Sequence, residues 1–92
     1  MIFAVTYLYE NDTEALDRVR PEHRAFLADQ DGLLLSGPTE DNGALLIWEA
    51  KTSAEVEEAL DEDPFWTEGL IAERNVVAWS PVLGPWRESL GI

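Results

Sequence analysis

A chain of 92 residues, 46% hydrophobic and 27% charged, has the length and make-up of one folded domain; it is too short for two and unlike a disordered chain. Nineteen Asp and Glu against six Lys and Arg give a formal charge of −13, which repels a nucleic-acid backbone and an anionic membrane surface alike. The absence of cysteine excludes disulfides, thiolate metal sites and cysteine nucleophiles, and a cytoplasmic location is the default expectation.

The opening stretch MIFAVTYLYE has no basic residue before its apolar run, and Thr6 and Tyr7 interrupt that run. It reads as neither a signal peptide nor a membrane span. Residues 2–9 are β-branched and aromatic, and both alternating sets are largely apolar, which predicts a strand covered on both faces. NDTEALDRVR then reads as a polar connection with a helical turn. Pro21 suits the first position of a helix that runs to about Gln30 and ends at Gly32.

GLLLSGP predicts a short strand stopped by Gly37-Pro38, and the Asn42-Gly43 turn leads into a third strand over 44–49, giving a hairpin. Thr52 and Glu55 have the spacing of a capping box, opening a helix whose Val56, Ala59 and Leu60 share one face. Asp63 before Pro64 is a second cap signal, and a last strand is centred on 76–79. The order β-α-β-β-α-β is the ferredoxin-like split unit, an α+β fold with a four-stranded antiparallel sheet and its helices on one face. Two helices cover only one side of such a sheet. The apolar other side predicts a homodimer packed through it.

His23 is the single histidine. With Pro21 as the first helical residue it falls in the first turn, on one stripe with Phe26 and Leu27 facing the sheet. Half-burial and the positive helix end would both favour the neutral imidazole, the form that accepts a proton. Asp63 is either a helix cap only or also the carboxylate that orients this ring, and His23 is either an acid–base group or a filler at the core edge.

The motifs IFAVTYLYE, RPEHRAFL with its Arg-Pro-x-His, GLLLSGP, ALLIWEA and DEDPFWTEGL, in this order and spacing, resemble the YCII-like family within the dimeric α/β-barrel superfamily, from Met1 to about Pro81. The resemblance implies a dimer with paired sheets and a cleft beside the sheet holding His23 and Asp63 as a catalytic pair. It places Arg20 and Ser36 near that cleft, with Arg20 suited to a substrate carboxylate. Trp66 and the tail GPWRESLGI depart from the family pattern. The expected division is a domain over 1–83 and a tail over 84–92, with Trp86 against the partner subunit or the tail disordered.

No Gly-rich phosphate loop or recognisable metal set is visible, so neither a cofactor nor a metal is expected. The expected activity is proton-transfer or elimination chemistry of the lyase, isomerase or hydrolase type on a small cyclic or aromatic acid or phenol. The alternative is a ligand-binding or assembly module whose cleft, lined by Phe65, Trp66 and Tyr7, holds a small molecule without turning it over. A purely structural dimer is the third reading.

Overall fold

A computed structural model describes residues 1–91. Strand β1 spans Ile2–Tyr9, followed by α1 (Thr13–Ala28), β2 (Leu33–Thr39), β3 (Gly43–Glu49), α2 (Ser53–Leu60), the single turn α3 (Pro64–Thr67), β4 (Ile71–Trp79) and a short α4 (Trp86–Ser89). The four strands form one antiparallel sheet in the order β2-β3-β1-β4. This is the ferredoxin-like arrangement, with α1 and α2 on one face.

The first helix starts eight residues earlier than Pro21 suggests. The Asp12 side chain accepts the Ala15 amide at 3.1 Å and caps α1 at its start. The segment read as a polar connection is therefore the first half of the helix. Ala15, Leu16, Val19, His23 and Leu27 make one continuous buried stripe. Pro21 lies inside the helix on its exposed side, where the missing amide leaves the Asp17 carbonyl without its helical donor.

Strand β2 also runs further than expected, through Gly37 and Pro38 to Thr39. It is an edge strand, and an edge tolerates a residue without an amide donor. Asn42 adopts φ 63° at the turn into β3, and Gly43 follows because a side chain there would strike the Tyr7 carbonyl of β1. At α2, Thr52 accepts the Glu55 amide at 3.2 Å, while the Glu55 carboxylate accepts from Lys51 at 3.1 Å, one residue upstream of a standard capping box. Strand β4 begins at Ile71, earlier than a strand centred on 76–79 implies.

The core lies between the sheet and the helices. Phe3, Val5 and Tyr7 of β1 and Ala44, Leu46 and Trp48 of β3 meet Leu16, Val19, Val56, Leu60 and Phe65. Neither α1 nor α2 covers the opposite sheet face, which exposes Leu35, Leu45, Val77 and Trp79. Beside it the tail folds into α4, closed by a hydrogen bond of 3.0 Å from Arg87 Nε to the Pro81 carbonyl. Tail and sheet face together border an apolar trough of about 900 Å3. Ile92, the last residue of the expected tail, lies outside the described residues. None of the described helices is long and apolar enough to cross a membrane.

Candidate active site

Asp63 precedes Pro64, and the proline ring fixes the chain at the start of α3 so that the Asp63 side chain turns back onto the Phe65 amide at 3.0 Å. That cap places a carboxylate inside the protein, with no exposure to solvent. The same Oδ1 lies 2.8 Å from His23 Nδ1, and Oδ2 accepts the Tyr7 hydroxyl at 3.0 Å. Asp63 is thus a cap and a partner of the imidazole at once. A carboxylate only accepts, so Nδ1 carries the proton and Nε2 is the nitrogen left for other partners.

His23 is buried and sits at the eleventh position of α1, far from the positive helix end. The dipole argument made from Pro21 therefore does not apply, because the influence of a helix end fades within a turn. What holds the ring is contact. Phe65 stacks on it with centroids 3.9 Å apart and planes 9° from parallel. Tyr9 packs edge-on against Phe65 at 5.3 Å.

The His23 ring borders a cavity of about 380 Å3 between α1, β2, β3 and α3. This is at the small end of ligand sites, enough for one substituted ring. Its wall includes Leu27, Leu33, Leu46 and Phe65 as apolar surface, with Ser36 across from the helix. Arg20 and Arg24 flank His23, three residues before it and one after, on the same side of α1. Two of the six cations of a chain with nineteen acids thus lie on this wall, and no Asp or Glu does. Arg20 also pairs with Asp17.

Two expected wall residues lie elsewhere. Tyr7 is buried behind Asp63 and takes no part in the cavity wall. Burial, and then the Asp63 charge and hydrogen bond, push its hydroxyl far above the ordinary tyrosine range. Trp66 points away from the cavity, with the Arg74 guanidinium 3.8 Å above its ring. His23, Asp63, Arg20, Ser36 and Phe65 come together around the cavity or directly behind it.

Tyr9 and Arg24 were not foreseen. Tyr9 follows from sharing a strand face with Tyr7, and Arg24, one helical turn after Arg20, follows once the helix begins at Thr13. Burial and the nearby Asp63 charge raise Tyr9 above its usual range, while Arg20 opposes the rise. Among the described residues no group of three or more His, Asp or Glu side chains is placed to hold a metal ion.

A four-stranded antiparallel sheet carrying a buried His–Asp pair beside a one-ring cavity, with helices on one face only, places the protein in the dimeric α/β-barrel superfamily. The chain belongs to the YCII-related domain family, whose sequence profile matches residues 1–80. A structure of 5-chloro-2-hydroxyhydroquinone dehydrochlorinase (TftG) from Burkholderia phenoliruptrix AC1100, in complex with 2,5-dihydroxybenzoquinone, is similar at 25% identity and TM-score 0.78, covering 87% of this chain and 94% of that one. SnoaB, a cofactor-independent oxygenase from Streptomyces nogalater, is similar in fold at 17% identity and TM-score 0.52, covering 89% of this chain and 94% of SnoaB. A NIPSNAP domain protein from Burkholderia xenovorans shares the fold at 14% identity and TM-score 0.56, with 88% and 93% covered. Among curated proteins no sequence matches this chain significantly.

Proposed function

We propose that this protein is a small-molecule enzyme in which His23 Nε2 moves protons on a one-ring phenol or cyclic acid, with Asp63 holding the ring and stabilising its charged form. The observation that carries this reading is the 2.8 Å contact of Asp63 with Nδ1 in a histidine that borders a cavity. Arg20 and Arg24 attract an anionic group, Ser36 offers a hydroxyl, and Leu46 and Phe65 supply apolar surface for the ring.

The chemistry balances without a redox partner. His23 takes the proton of a ring hydroxyl and returns it to a ring carbon, giving the keto tautomer. Where that carbon bears a leaving group X and the ring carries a second conjugated hydroxyl, loss of that hydroxyl's proton drives its electron pair into the ring and expels X as the anion, so the hydroquinone becomes a quinone with net loss of HX and no external oxidant. The similarity to a dehydrochlorinase supports elimination as the class of reaction.

The open sheet face supports a homodimer, since Leu35, Leu45, Val77 and Trp79 have no cover in one copy. The enzyme reading is tested by incubating the protein with chlorinated hydroxyhydroquinones and hydroxybenzoic acids and following absorbance and chloride release. Turnover that falls at least about a hundredfold in His23→Ala is the expected result, the scale of a lost general base. Saturable binding with no consumption of any of them favours the binding module instead.

A further inference from the structure

A carboxylate turns about its Cβ–Cγ bond, so its plane is fixed only when both oxygens have partners. Here Oδ1 meets His23 and the Phe65 amide, while Oδ2 has one side-chain partner, the Tyr7 hydroxyl at 3.0 Å. Tyr7 is 3% exposed and absent from the cavity wall, so contact with a substrate does not explain it.

Directly across the β1–β4 register from Tyr7 stands Arg74. Its side chain is 8% exposed, clamped over the Trp66 ring, with Nη2 donating to Asp61 at 2.8 Å. Its Nη1 is buried and has no hydrogen-bond acceptor among the described residues. Burying a cation with an unused donor is costly, and salt-bridging Asp61 needs only the other nitrogen. The Arg74 charge reaches the Tyr7 hydroxyl, where it opposes the effect of Asp63.

Building on the acid–base reading above, we propose that Tyr7 is a positioning residue of this site, its hydroxyl holding Oδ2 so that the Asp63 carboxylate plane stays turned toward His23, with Arg74, opposite Tyr7 on β4, packed as a fixed side chain beside it. Tyr7 does not touch the substrate. The other charged or titratable groups around the ring are Asp63 from the α3 cap, Tyr9 from β1, and Arg20 and Arg24 from α1. Of these, only Asp63 bonds the imidazole.

A single histidine gives one Nδ1–H proton resonance, which a hydrogen bond to a carboxylate moves downfield and protects from exchange with water. Tyr7→Phe keeps the packing and removes the hydroxyl alone. In this variant the resonance is expected to move upfield and exchange at least about tenfold faster, the factor that matches one lost charge-assisted hydrogen bond. If Asp63→Asn removes the signal while Tyr7→Phe leaves it unchanged, the proposal is overturned and the His23–Asp63 pair survives. If Asp63→Asn changes nothing, the pair and the proposal fall together.

Discussion

Asp63 carries three hydrogen bonds with no exposure to water, and every one of its donors belongs to a different element: Tyr7 on β1, His23 on α1 and the Phe65 amide on α3. Asp63→Asn preserves the shape but offers an amide group where a donor already points. It is expected to lower stability by about 1–3 kcal/mol, read from urea midpoints; an unchanged midpoint would show that the three contacts are not formed together in solution. Tyr7 and Tyr9 are the only tyrosines, and both hold their protons above the ordinary range. Unfolded tyrosines ionise near pH 10. A raised folded value means that the folded state keeps protons the unfolded state releases, so stability is complete below about pH 10 and declines as pH rises beyond it. Urea midpoints between pH 9 and 11 are expected to fall more steeply in the intact protein than in Tyr7→Phe, and equal slopes would contradict the burial of this hydroxyl. His23 and Asp63 were readable as candidates because the chain has one histidine and one Asp-Pro-Phe segment, whereas Arg20 and Ser36 came with the family resemblance. Tyr7 was misplaced into the cavity because sequence gives the face of a strand but not what stands between that face and the ligand.

At the scale of elements, the four strands and α2 were readable from alternation and caps, whereas α1 was read at half its length. Pro21 is a strong signal for a helix start, and it outweighed Asp12, whose cap to Ala15 opens the helix two turns earlier. The burial stripe from Ala15 to Leu27 stabilises the helix enough to absorb an interior proline, a tertiary effect that local propensity does not contain. Pro21→Ala restores a donor to the Asp17 carbonyl at an exposed position, and a gain of about 1–3 kcal/mol is expected, read from thermal or urea unfolding. No gain would mean that the helix is interrupted at Pro21. Gly43 marks a tighter constraint. In Gly43→Ala the new methyl meets the Tyr7 carbonyl, so the β1–β3 pairing must shift, and the expected outcome is a loss of stability accompanied by weaker amide protection along β1 and β3. Retained protection would contradict this close approach.

For the whole molecule, the one-sided placement of helices follows from β-α-β-β-α-β connectivity, and the bare apolar face follows from reading both alternations of β1. Leu45→Glu puts a charge in the middle of that face without touching the cavity. Light scattering is expected to give twice 10.3 kDa for the intact protein and a single chain for this variant. Because each copy carries −13, added salt is expected to tighten the association. A monomeric intact protein at all salt concentrations would remove the dimer from the account. The tail was the least legible part: it has no alternation or strong cap, and its turn α4 is tied by the Arg87 side chain to the Pro81 carbonyl.

The central claim is that Asp63 fixes the His23 ring so that Nε2 is free to take a proton. Ring nitrogen NMR of the single histidine, recorded with the imidazole neutral, tests it most directly. The account predicts a proton on Nδ1 and an unprotonated Nε2 in the intact protein, with the preference lost in Asp63→Asn. A proton on Nε2 in the intact protein, or the same spectrum in both, would contradict it.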